Sequence, residues 1–380
     1  MPVSLVGGRV WDGVAAEAVE ASVVIDGGVV GAVGGEAPGT TIDVSGCTVL
    51  PGLIEAHAHL CFNAAADWRE TFDSDSPTRM ALRMAQAAES MVGAGITTVR
   101  DLGAPTELAI EVRDALRAGL AQGPDLFVAG APVTTTGGHC WFLGGETDGE
   151  LGIRVRVREL AKAGVDWVKV MATGGGMTPG TNMAAAQFTV DELTALVDEA
   201  ARLGLRVAAH CHGTPGIANA AAAGVATIEH CSFRNPEGLA WDADVGKSIA
   251  EAGVAVSPTV HSGYLRAREA PYYDERLEIA HGLIDAGCAI IMSTDCGIPN
   301  TPHDILPESM AYWGEMTETP AVDVLMSATS VSAEVLGLDD RGVLAEGKRA
   351  DVLVVEGDPL EDLDALQDVR HVFRGGEQVL

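Results

Sequence analysis

The sequence predicts an α/β chain, a (β/α)8 TIM-like barrel with a small β-sandwich-like domain formed by both termini. Three observations carry the prediction. Short β-rich segments alternate with helical stretches through the middle of the chain, glycines punctuate the ends of those helices, and both ends of the chain are glycine-broken β-like runs.

The first fifty residues contain "VSLVGGRVWDG", "ASVVIDGGVVGAVGG" and "TTIDVSGCTVL", and the tail repeats the texture in "GKRADVLVVEGDP" and "VRHVFRGGEQVL". These read as strands of an antiparallel sheet. A composite β domain over residues 1–50 and 345–380 is therefore expected, with a barrel over 51–344. The barrel strands are "GLIEA", "TTVRD", "DLFVAG", "DWVKVMA", "LRVAAH", "ATIEH", "VAVSPT" and "AIIMSTD". Between most of them lie stretches of helical period such as "SPTRMALRMAQAAESMVGAG" and "FTVDELTALVDEAARLG". Six of the helices end in glycine just before the next strand, at Gly95, Gly164, Gly204, Gly224, Gly253 and Gly287. A helix that stops in a left-handed residue selects glycine, which has no Cβ to clash there.

Composition narrows the function. The chain has 380 residues with 24 Lys and Arg against 54 Asp and Glu, a formal charge of −30. Such a field repels nucleic acid and anionic membrane surfaces, so the expected partner is a small-molecule substrate. The seven cysteines contain no CxxC pair, and their scatter argues against a disulfide framework. With no signal-peptide pattern and no apolar run long enough to span a bilayer, the expected location is cytoplasmic. A cyclic homo-oligomer is expected only from the general frequency of such assemblies.

Polar residues sit where a barrel places its chemistry. His57 and His59 follow the first strand, Lys169 lies in the fourth, and His210, His230 and Asp295 end the fifth, sixth and eighth. The C-terminal ends of barrel strands open on one rim, so these residues converge although they are far apart in sequence. An HxH pair alone is equally a loop feature; four histidines and an aspartate on one rim form a metal site. Imidazoles and carboxylates suit divalent first-row ions, zinc first among them. Lys169 is either a lysine paired with an acidic neighbour or, after reaction with carbon dioxide, a carbamate whose two oxygens bridge two metals. Two such ions would hold a hydroxide between them.

The ordered set "VLPGLIEAHAHL", "GITTVRDLG", "TGGH", "WVKVMATGG", "AAHCHG", "ATIEH", "STDCG" and "GKRADVLVVEGDPLEDL" resembles the amidohydrolase superfamily over nearly the whole chain. Within it, the resemblance is to the imidazolonepropionase-like and Xaa-Pro or Xaa-Arg metallo-dipeptidase (prolidase-like) branch. The resemblance implies a two-zinc centre in which His57 and His59 bind the first ion. It matches Lys169 to a carboxylated bridging lysine and His210 and His230 to the ligands of the second ion. Asp295 matches the residue that binds the first ion and shuttles the catalytic proton. His139, after "TGG", matches a substrate-binding histidine, and a surface loop histidine is its other reading.

The expected reaction is hydrolysis of an amide-type C–N bond in a small molecule such as an N-acyl amino acid or dipeptide, by a metal-bridging hydroxide. A cyclic-amide, lactone or carbamate hydrolase or a deaminase is the nearest alternative, although a deaminase often lacks the bridging lysine. A catalytically silent metal- or ligand-binding barrel is the reading from another class. Tyr264 is a candidate for a substrate carboxylate or carbonyl, with Arg266 and Arg268 for an anionic end, while His212 is either a support for the centre or a loop residue. The acidic segment Glu146, Asp148 and Glu150 is expected to face the rim and favour a cationic substrate end. "HCWFLGGETDGE" and "GGGMTPG" depart from the branch's usual loops, which leaves the dipeptide open. The second of these lacks the order of a nucleotide-binding loop.

Overall fold

The computed structural model describes residues 1–261 and 272–380. Among the described residues, seven parallel strands occupy the middle of the chain. Leu53–Ala58, Ile96–Asp101 and Asp125–Val128 form one sheet, and Trp167–Met171, Arg206–Gly213, Thr227–Asn235 and Ala255–Ser257 belong to another. Backbone bonds link the two sheets, from Asp166 N to Val128 O, from Val133 N to Lys169 O and from Met171 N to Val133 O, each 2.8 Å.

The eighth expected strand is an extended segment with isolated bridges to its two neighbours. On one side Ile291 N donates to Val256 O at 2.9 Å, and on the other Asp295 N donates to His57 O at 2.9 Å. A regular ladder is lost because another segment takes its lower bonds: Ile54 N donates to Ala328 O and Met292 N to Ser327 O, at 2.8 and 2.9 Å.

All six helix-ending glycines have positive φ, between +66° and +97°. Helix Val190–Arg202 also shows its sequence start signal: Thr189 accepts from Glu192 N, and Glu192 accepts in return from Thr189 N.

Both ends of the chain meet in a sheet of order Glu377–Gln378, Val369–Arg374, Val352–Glu356, Cys47–Pro51, Arg9–Val10 and Val19–Glu20. A four-stranded sheet, Val29–Val33, Val23–Asp26, Val3–Val6 and Thr40–Asp43, shares with it an apolar core that includes Leu5, Val23, Val49, Val352 and Phe373. The pairing is mixed rather than antiparallel throughout. Residues 3–10 and 40–51 run side by side in one direction, parallel in both sheets, and cross between the sheets together. At the crossing a Cβ on Gly8 would lie 2.8 Å from Val44 O, so the close approach requires glycine. Among the described residues no helix is long and apolar enough to cross a membrane.

Candidate metal centre

The backbone aims the predicted residues at one point. His57 N donates to the buried Glu55 carboxyl group at 3.0 Å, and Thr294 N and Oγ1 lie 3.1 and 2.6 Å from the oxygens of the same group. Glu55 thereby fixes the strand end that carries His57 to the segment that carries Asp295. His230 and Asp295 take left-handed backbone, with φ of +66° and +59°. Side chains rarely accept that conformation, and it turns both toward the centre at some cost in strain.

Hydrogen bonds at the outer nitrogens decide which ring atoms face inward. His57 Nδ1 donates to Glu229 Oε2 at 2.9 Å, and His59 Nδ1 donates to Gly103 O at 3.0 Å. Both Nε2 atoms are then bare acceptors, yet they lie 3.2 Å apart, and Asp295 Oδ1 sits 3.4 and 3.1 Å from them. Among the described residues Asp295 Oδ1 has no hydrogen-bond partner. Burial opposes charge on the His59 ring, but Asp295, Asp101 and the bond to Gly103 O raise its pKa, so a second proton or a cation at Nε2 is favoured beside Asp295 Oδ1.

A second opposition lies beside the first. His210 Nε2 donates to Gly174 O at 3.1 Å, leaving Nδ1 bare. His230 Nδ1 donates to Thr259 Oγ1 at 2.8 Å, since that hydroxyl gives its own proton to Pro258 O. The two bare nitrogens, His210 Nδ1 and His230 Nε2, are 2.8 Å apart. Burial lowers the pKa of His57 to about 4 and those of His210 and His230 well below the ordinary value, so the rings are neutral. Converging imidazoles, those of His57, His210 and His230 neutral, and a carboxylate beside them are a donor set for cations, and the residues fit divalent metal.

Lys169 is 1 % exposed, and its Nζ has no hydrogen-bond partner among the described residues. Burial pushes its pKa down to about 8, with Glu229 and Asp295 opposing. Asp295 is held low by His57 and His59, which outweigh the opposing effect of burial. The ligand atoms of His57, His230 and Asp295 lie within 4.8 Å of one another, as do those of His210, His212 and His230. His212 is thus part of the cluster, with Nδ1 2.9 Å from Ser232 Oγ.

A cavity of about 240 Å³ opens over this cluster. His139 lines it, with its ring centre 4.6 Å from that of His210 and its Nδ1 3.1 Å from Thr178 Oγ1. A Cβ on Gly175 would lie 2.3 Å from His139 Nε2, while Gly174 supplies the carbonyl that holds His210. Two glycines of "TGGGMTPG" thus serve the histidines, Gly175 by leaving room for His139 and Gly174 by its carbonyl bond to His210. Phe62, Met171, Met177, Met183 and Ile298 give the cavity an apolar wall, and Arg276 and His261 add polar groups. Tyr264, Arg266 and Arg268 lie outside the described residues.

The acidic segment does not behave as its sequence suggested. Glu146 Oε1 accepts from Gly137 N at 2.7 Å, Asp148 accepts from Thr136 N and Oγ1, and Glu150 lies in the first turn of helix Gly149–Ala163. The first two carboxylates brace their own loop, and none of the three lines the cavity. Glu229, Arg100, Thr259, Gly174 and Arg276 were not singled out from the sequence. Their parts depend on contacts across the fold; Glu229 in "ATIEH", Arg100 in "GITTVRDLG" and Gly174 in "WVKVMATGG" stand within quoted motifs, but nothing in those motifs marks their partners.

The sequence pattern of the amidohydrolase family matches residues 48–379. Ochratoxinase from Aspergillus niger is 30% identical, over 87% of this chain and 75% of that protein. Imidazolonepropionase from Salinispora arenicola is 29% identical, over 83% of this chain and 79% of its own length. A crystal structure of a Xaa-Pro dipeptidase with methionine bound in the active site superimposes with a TM-score of 0.89 at 27% identity, covering 100% of this chain and 99% of that one. Together these matches imply a TIM-barrel-type fold.

Proposed function

The chain belongs to the amidohydrolase family, hydrolases acting on carbon–nitrogen bonds, and from that premise we propose that it cleaves an amide bond in a small N-acyl amino acid or dipeptide. The observation that carries this reading is the pair of opposed lone-pair sets, one at His57, His59 and Asp295 and the other at His210 and His230.

In this reading His57, His59 and Asp295 would hold one zinc ion and His210 and His230 a second, and Lys169, once carboxylated by carbon dioxide, would supply a further anionic ligand. When bound, the ions supply Lewis acidity and make water a nucleophile at neutral pH. The Asp295 carboxylate takes the proton from the attacking water and returns it to the leaving amine. Neighbouring His57 and His59 favour its ionised form before the reaction. Phe62, Met171, Met177, Met183 and Ile298 receive an apolar side chain, and His139 borders the acyl end. Arg276 binds the carboxylate of the amino acid product. The likeness to a dipeptidase that holds methionine in its active site supports an amino-acid moiety. The same reading divides the chain into a composite β domain of residues 1–50 and 345–380 and a barrel of 51–344.

The test is a hydrolysis screen on protein purified without chelators and loaded with zinc and bicarbonate. Turnover of N-acyl amino acids or dipeptides with a free carboxylate is expected. Turnover only of cyclic amides, lactones, carbamates or amino-heterocycles would replace the substrate class and leave the family in place. Stoichiometric metal with no turnover on any of them would favour a silent binder.

A further inference from the structure

Beneath the centre lies a buried ion pair in which Glu229, already seen to hold His57 Nδ1, meets Arg100, a residue with no part in the chemistry above. Arg100 and Glu229 are both fully buried, on the second and sixth parallel strands. The guanidinium lies over the Trp167 ring at 4.5 Å. Its Nε donates to Ala56 O at 2.7 Å, one terminal nitrogen to Thr227 Oγ1 at 3.2 Å, and the other to Glu229 Oε1 at 3.0 Å. Thr227 Oγ1 donates to that same oxygen. Every bond on the far side of Glu229 therefore requires Oε1 to accept, which leaves Oε2 for His57 Nδ1 at 2.9 Å.

We propose that the Arg100–Glu229 pair is a positioning device that locks His57 in the tautomer with its proton on Nδ1, so that Nε2 is presented bare to the first metal ion. The proposal rests on the metal-site reading above. A carboxylate only accepts, so a correctly placed Glu229 admits a single proton position on the ring. Arg100 adds what Glu229 alone lacks, a fixed position for the carboxylate. It ties down Oε1 through a fork anchored at Ala56 O, the carbonyl of the residue just before His57. Strand, guanidinium, carboxylate and imidazole thus form a closed loop of bonds, and a histidine oriented by a carboxylate behind it is a better metal ligand.

The pair makes an asymmetric prediction. In Glu229→Gln one of the two oxygens becomes an amide NH2. Arg100 accepts no hydrogen bond, so it forces the remaining oxygen toward itself and turns the NH2 toward His57. His57 must then accept at Nδ1 and carry its proton on Nε2, facing Asp295 Oδ1 and His59 Nε2 where the ion would sit. Adding Arg100→Met removes that constraint, lets the introduced amide rotate its oxygen to His57, and restores the original tautomer.

The experiment is nitrogen NMR of histidine-labelled, chelator-treated protein together with zinc titration. In the wild type, His57 is expected as the Nδ1–H form. In E229Q it switches to Nε2–H, and the first zinc binds about 10- to 100-fold more weakly, the loss typical of removing such a support. In E229Q/R100M the Nδ1–H form returns and most of the affinity with it. A wild-type His57 protonated on Nε2 would overturn the proposal without any variant. So would an E229Q protein with unchanged tautomer and zinc affinity, or a double variant no better than E229Q. Wild-type protein with no zinc affinity would instead sink the metal-site reading while leaving the tautomer result to stand on its own.

Discussion

His210 Nδ1 lies 2.8 Å from His230 Nε2, and the hydrogen bonds at the opposite nitrogens leave neither with a proton to share. Two lone pairs at that separation repel unless a cation lies between or beside them.

Removal of metal should therefore weaken the fold as well as stop catalysis. Chelator-treated protein is expected to melt roughly 5 °C or more below protein with zinc in hundredfold excess over its Kd. Zinc should restore the melting temperature with saturation close to two ions per chain. Calorimetry with elemental analysis checks both, and saturation at one ion would overturn the binuclear reading.

Lys169→Ala should lose the bridging group and at least one ion. Acetate or another short carboxylic acid should restore part of the activity, because its two oxygens can span the gap left by the carbamate. A variant that keeps two tightly bound ions and full turnover would show that Lys169 has only a structural part.

Burial pushes the Glu55 carboxyl up to about 8, against bonds from Thr294 and the His57 backbone that favour the charged form. An acid with a raised folded pKa binds its proton more tightly when folded. Its contribution to stability is full below the unfolded value near 4.5 and is lost as pH rises toward 8. Glutamine at the site has no proton to lose. Melting temperatures of metal-free wild type and Glu55→Gln should therefore move apart between pH 5 and 8.5, with the wild type losing ground. A constant difference across that range would contradict a raised pKa.

Arg276→Gln should raise KM for substrates with a free carboxylate by about tenfold or more, the effect of losing a charge-assisted contact. Amides of the same substrates, lacking the charge, should be nearly unaffected. Equal losses on both series would place Arg276 outside substrate recognition.

Strand alternation made most of the centre legible. His57 and His59 share a parity along an extended chain, and Lys169, His210 and Asp295 stand at or near strand ends, so a barrel brings them to one rim. His230 is different. Its neighbour Glu229 points into the barrel, and a regular strand would send His230 to the opposite face; only the left-handed φ at His230 re-aims it. A motif located that histidine, but no periodicity could. Arg100 lies 129 residues from Glu229 and reads as an ordinary strand residue, since nothing local marks a partner on another strand. The eighth strand's lost ladder has the same origin, a competitor at Ser327 and Ala328 that its own sequence does not show. The terminal sheets were recognisable by texture, while their partly parallel pairing follows from two chain segments crossing together.

The strand Cys47–Pro51, which leads straight into the strand bearing His57, pairs on one side with Val352–Glu356. Roughly three hundred residues separate Pro51 from its partner Val352, so at about 5–20 residues per second a ribosome takes on the order of 15–60 s to make the second after the first. For that interval the nascent chain presents an unpaired strand edge directly ahead of His57 and His59. The candidate centre can reach its final rigidity only after translation has passed the point where all of its residues, Asp295 included, are already made.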